Sequence, residues 1–178
     1  FGAKFARAGS AGRAEAAAGL TADVLDRVTG IEGIEWAAAF GSAIDATNSA
    51  VPDGTRVPVR LAYGTHLERI GIPTRVPLPG QLAYGSATAL DLLGLPDRVG
   101  AITTTQGNDY GLAGEVSMPD FLLPMQPLVI VPQPSDAGTD VVSVLIIIAE
   151  RPDLVAPVSN AVLSVLAVDD PTKISVQT

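Results

Sequence analysis

Apolar positions change their period several times along this chain, and each change marks an element. Leu20, Val24, Leu25 and Val28 recur at helical spacing, and Gly30 follows as a stop, so 9–30 is expected to be a helix. Alanines at 14, 16, 17 and 18 extend the helical propensity upstream, Gly19 weakens the join, and Thr21 with Asp23 offers a second start. From 31 to 48 apolar and small residues mix without helical order, which suggests a strand or hairpin arm. Pro52-Asp53-Gly54 makes a turn. Residues 56–64 then alternate well enough for a strand, and Pro58, having no N–H to donate, favours a sheet edge. A loop broken by Gly71, Pro73, Pro77 and Pro79 follows.

The second half is clearer. Ser86 is a fair N-cap and Gly94 the matching C′ residue for a helix between them. Val99–Thr105 and Leu112–Ser117 read as strands paired around a turn at Gly107-Asn108-Asp109. Residues 118–127 hold too many prolines for regular structure, and 128–131 form a short strand ending at Pro132. Val141–Ala149, β-branched and nearly all apolar, reads as a central strand. Pro152 and Asp153 open a helix to Leu166, with Leu154, Val155, Val158, Val162, Val165 and Leu166 as its buried stripe. A strand over 173–177 closes the chain, and a strand–helix–strand unit of this length normally crosses over within one sheet.

Composition narrows what such a fold does. The chain has 178 residues, 47% of them hydrophobic but only 4% aromatic, so Ala, Val, Leu and Ile must build the core. It contains no cysteine, which excludes disulfides, thiolate chemistry and thiolate metal sites. A net charge of −8 repels phosphate backbones and argues against nucleic acid as a partner. The apolar run Val144–Ala149 is too short to span a membrane, for which about 20 residues are needed. The first residues show no signal-peptide pattern, and the chain reads as part of something longer.

The search for chemistry finds little. His66, the sole histidine, lacks a nucleophile in a recognisable elbow, because Ser86 sits in AYGSA and has a capping role at hand. The many carboxylates sit mostly beside Gly or Pro in turns or at helix starts, where Asp is expected structurally. GNDYG and PSDAGTD miss the spacing of a calcium loop, and the early glycines follow no strand that would make them a phosphate cradle. No catalytic, metal or cofactor residue is therefore assigned. Lys4, Arg7 and Arg13 form a loose basic cluster suited to a solvated or juxtamembrane segment. One apolar cluster lies in a loop context: Phe121, Leu122, Leu123 and Met125 either form a contact patch for lipid or protein or plug the core beneath the next strand.

Four pieces in order carry a family resemblance: QLAYGSATALDLLGL, GLAGEVSMPD, PLVIVP, and the closing strand–helix–strand from Asp140 to Thr178. The run resembles the extracytoplasmic (periplasmic core) domain of MacB-type, FtsX-like ABC transporter permeases. The resemblance implies an α+β fold: a porter-like mixed β-sheet with βαβ units packed by two or three helices, plus a small β-rich insert subdomain. The porter-like parts would be about 11–48 and 136–178, and the β-rich subdomain about 49–135, within a single extracytoplasmic domain. It implies no enzymatic activity and no cofactor. It places the domain between the first two membrane spans of a plasma (inner) membrane protein, on the extracellular or periplasmic side. Phe1 and Thr178 would both point at the membrane, and a helix over 11–29 would continue from the first span. Implied partners are a cytoplasmic ATP-binding subunit, a second permease copy, and a peptide, lipid, lipoprotein or cell-wall hydrolase. The role would be mechanotransmission of ATP-driven change. The alternative is a secreted or surface-anchored non-catalytic binding module, and a carboxylate hydrolase is a third reading.

Overall fold

The computed structural model of the chain describes residues 21–166, together with the backbone of strand segments 2–4, 11–16 and 174–177. Two compact units emerge. The first comprises Phe1–Gly41, Tyr63–Thr65 and Ser135–Thr178; the second comprises Ser42–Ala62 and His66–Pro134.

The first unit is a mixed sheet in the order β2 (Ala11–Ala16), β11 (Ile174–Gln177), β1 (Gly2–Lys4), β10 (Val144–Ala149), β3 (Ile34–Phe40). β1 runs parallel to both of its neighbours, while β2 and β3 run antiparallel to theirs. All six residues of β10 are buried, as expected of an apolar, β-branched central strand. It pairs with β3 from Val144–Phe40 to Ile148–Trp36. Two helices pack in this unit. α1 (Val24–Thr29) buries Val24, Leu25 and Val28, and α3 (Val155–Val165), entered through a 3-10 turn at Pro152–Leu154, buries Val158 and Val162. α3 connects β10 to β11 within one sheet, with β1 between them.

The first expected helix is corrected. Residues 11–16 form a strand on β11, and the helix occupies only Val24–Thr29. Alanine propensity is worth a few tenths of a kcal/mol per residue, which tertiary strand pairing readily overrides. The second start is the one used: Asp23 occupies the N-cap position and Thr21 bridges to Val141. The backbone amides of Ala22 and Asp23 donate to the carbonyls of Asp140 and Gly138 at 2.9 Å each, fastening the helix start to the segment before β10.

A three-residue strap belongs to the same unit. Tyr63 donates its hydroxyl to Asp140 Oδ2 at 2.9 Å, and Trp36 Nε1 donates to the Thr65 carbonyl at 2.7 Å. Between them Gly64 has φ +130°, and a Cβ there would stand 3.3 Å from the Ala37 carbonyl oxygen and the Ala38 Cα. Only glycine meets both conditions without strain.

The second unit is a closed six-stranded barrel. Its strands run β5 (Val57–Gly64, of which Val57–Ala62 belong to this unit), β4 (Ile44–Asn48), β7 (Gly100–Thr104), β8 (Asp109–Glu115), β6 (Leu82–Gly85), β9 (Val129–Pro132), and β9 returns to pair with β5. β5–β9 and β6–β8 are parallel and the other four pairings antiparallel. The interior holds Ala46, Val57, Val59, Ala83, Ile102, Leu112, Val129 and Val131, with Ala89 and Leu90 of α2 (Ala87–Leu92) and its C-cap residue Leu93 packed among them. Small and branched residues suit so narrow a barrel, whose interior is only as wide as its side chains.

Closure corrects the reading of Pro58. β5 is not an edge; it has a partner on each side. The proline is tolerated because pairing with β9 starts only at Val59, one residue past it. β4, expected with the porter-like part, lies in the barrel. β8 begins at Asp109 rather than Leu112, so Asp109 is a strand residue opposite Thr103. The proline-rich stretch after Pro119 contains a 3-10 helix, Asp120–Met125, where irregular structure was expected. The expectations on Phe1, Thr178, Lys4, Arg7 and Arg13 fall outside the residues whose side chains are described.

Candidate functional site

Local rules position the α2 region. Ser86 is fully buried and is the capping residue the sequence suggests: its Oγ accepts from the Ala89 amide at 3.3 Å. The same oxygen accepts from the Leu128 amide at 3.2 Å, while the Ser86 amide donates to the Leu128 carbonyl at 2.9 Å. One hydroxyl thus joins the start of α2 to the entrance of β9. At the other end, Gly94 takes φ +69°, and Asn48 Nδ2 donates to the Leu93 carbonyl at 3.0 Å, occupying an acceptor the helix leaves open.

This removes Ser86 from any nucleophile role, since its hydroxyl is committed and shielded. His66 is exposed, in the left-handed region at φ 53°, and its Nδ1 lies 2.9 Å from Glu68 Oε1. Glu68 titrates below its ordinary value, chiefly through a hydrogen bond from its own backbone amide and secondarily through His66. Asp109 accepts from Thr103 Oγ1 at 2.7 Å, and Glu115 pairs with Arg98 at 2.9 Å. They bound the seven residues of β8 and so lie about 20 Å apart at strand rise. Glycosidic carboxylate pairs work at about 5–10 Å, so these two do not form one. Among the described residues no group of three or more His, Cys, Asp or Glu is placed to hold a metal, and no helix is long and apolar enough to cross a membrane.

Recognition surfaces remain. The four apolar residues of the 3-10 segment part company. Leu122 is fully buried and belongs to the core, Leu123 is 48% exposed, and Phe121 and Met125 are half-buried. Gln126, after the segment, accepts through Oε1 from Thr88 Oγ1 at 3.3 Å, tying it to α2. Other exposed apolar side chains were not singled out by sequence: Val51, Leu78, Leu92 and Val99 in the barrel unit, and Val141 in the first. Their exposure depends on which face of each element is covered, which a residue's immediate neighbours in sequence do not disclose.

With the geometry in place, comparison with solved structures is informative. The chain resembles the periplasmic region of MacB from Actinobacillus actinomycetemcomitans, with a TM-score of 0.61 at 8% identity over 94% of this chain and 88% of that one. It also resembles the extracellular domain of the noncanonical ABC-type transporter YknZ from Gram-positive bacteria, with a TM-score of 0.58 at 10% identity over 89% of each chain. At such identities the likeness is one of fold. The architecture is that of the MacB-like extracytoplasmic domain, an α+β mixed-sheet fold. No family model and no curated protein matches the chain.

Proposed function

We propose that the chain is the extracytoplasmic domain of an ABC transporter permease subunit, which relays ATP-driven conformational change across a plasma (inner) membrane and does no chemistry itself. The observation that carries this reading is the shared fold over 94% and 89% of the chain with two such transporter domains. Several features support it. β1 and β11, the first and last strands, are neighbours on one sheet, so displacement at both enters one element. That sheet is stiffened by the fully buried β10. Among the described residues, Ser86 is committed as a cap, and His66, Glu68, Asp91 and Glu115 to ion pairs.

In this reading the partners are a cytoplasmic ATP-binding subunit, reached through the permease's membrane part, and a second permease copy. The cargo or client is a peptide, lipid, lipoprotein or cell-wall hydrolase. Phe121, Leu123 and Met125 form a contact patch for it. The test is made on the whole gene product in its host, tagged within the turn at Pro52–Gly54. Protease added outside should cut the tag while the protein stays with the membrane fraction. A released soluble protein, or a tag reached only after lysis, overturns the reading.

A further inference from the structure

We propose that the barrel end formed by the Asn48–Gly54 turn and the α2–β7 connector is a docking surface for a basic amphipathic protein segment. Val51, Leu92 and Val99 are 51%, 47% and 55% exposed. Three bonds bring them together. Asn48 Nδ2 donates to the Leu93 carbonyl at 3.0 Å, the Ser49 amide donates to the Ala101 carbonyl at 2.9 Å, and Ser49 Oγ and Thr103 Oγ1 lie 2.7 Å apart. Val51 and Val99 each stand two residues from the Ser49–Ala101 bond, about 7 Å of chain. Leu92 adjoins the carbonyl that Asn48 caps.

The three residues together expose on the order of 250 Å², somewhat below the roughly 300–600 Å² of the largest apolar patch on a typical monomer. Their turns do not need them for burial, since the barrel core is complete without them. The surrounding charge selects the occupant. Asp53 and Asp97 are exposed and stand in the same two loops as Val51 and Val99. Asp91 and Glu115 share one guanidinium, Arg98, at 2.8 and 2.9 Å. With Arg56 included, four carboxylates face two guanidiniums. An apolar centre with an acidic rim repels anionic lipid headgroups and complements Lys or Arg flanking a Leu/Ile face. This surface stands on the barrel alone and holds whether or not the chain is part of a permease.

The experiment uses residues 1–178 as they stand and a labelled helical peptide of leucine and lysine, read by fluorescence anisotropy at low and physiological salt. Its controls are the same peptide with glutamate for lysine, and phosphatidylcholine vesicles with and without phosphatidylglycerol. The lysine peptide should bind, with affinity falling as salt rises. V51S/V99S should weaken it about tenfold or more, and D53N/D97N severalfold with a shallower salt dependence. Both pairs are exposed, so circular dichroism should show intact folds; a V141S variant on the other unit should bind normally. Equal binding of the glutamate peptide, binding to vesicles in its place, no binding, or binding unchanged by both double variants would overturn the proposal.

Discussion

Replacing Ser86 by alanine tests the joint between helix and barrel most directly. The change removes one oxygen and no carbon, so no cavity of consequence opens. What is lost is the acceptor for two buried amides, those of Ala89 and Leu128, at 3.3 and 3.2 Å. Loss of a serine N-cap costs about 0.5–2 kcal/mol. Leaving the second amide without its partner adds about 1–3 kcal/mol. The Ser86 amide to Leu128 carbonyl bond survives, since it is backbone to backbone, so the strand entrance is loosened and not released. The expected loss is therefore about 2–4 kcal/mol, a sizeable share of the roughly 5–15 kcal/mol that holds a protein folded. For a chain of this length it amounts to a melting shift of roughly 5–15 °C. Urea unfolding followed by circular dichroism measures the loss, with an unchanged slope required for the comparison to hold. Trp36, the only tryptophan, lies in the first unit and reports that unit separately by fluorescence. A loss under about 0.5 kcal/mol would refute the reasoning, because even a weak cap costs that much.

Other expectations follow from the same contacts. Gly64→Ala should cost about 1–3 kcal/mol in thermal unfolding, because φ +130° and the 3.3 Å approach to the Ala37 and Ala38 backbone both oppose a Cβ. Arg98→Ala should cost no more than about 1 kcal/mol for its partly exposed ion pairs. Arg98→Gly should cost less than Arg98→Ala, since both lose the same ion pairs and φ 63° suits glycine; the opposite order would refute the left-handed backbone as a source of strain here. Nuclear magnetic resonance titration should find Glu68 below the ordinary glutamate value, and His66→Ala should return it only partway, because its own backbone amide is the larger cause. A depressed folded value means that this group's small stabilisation is present above the ordinary range and lost as pH falls through the lowered one.

Some of this protein is set within a few residues of chain and is legible there. Ser86, Gly94 and Gly107 do what their local chemistry dictates: a cap acceptor, a left-handed helix stop and a hairpin turn at φ +85°. The central strand is apolar on both faces because both are covered, and α3 follows from a helical stripe behind Pro152. The candidate patch was legible as a cluster but not as a surface. With three residues per turn, successive side chains of a 3-10 helix point in different directions, so Leu122 is buried while Leu123 is exposed, and neighbours from other elements decide which is which.

Tertiary structure decided the rest through pairings distant in sequence. The alanine-rich stretch at 11–16 prefers helix by itself and becomes a strand because β11, some 160 residues onward, offers a ladder. Its preference is a few tenths of a kcal/mol per residue, less than a ladder with packing supplies. The barrel exists only because β9 returns to β5, so Pro58, an edge signal by itself, lies in a strand with two partners. Closure also determines which loops meet at a barrel end, and hence that Ser49 and Ala101, 52 residues apart, are joined by a backbone hydrogen bond. Propensity, capping and turn chemistry are nearest-neighbour properties of a sequence. Ring closure and the surfaces it creates depend on contacts between residues far apart in the chain, which only the folded molecule brings together.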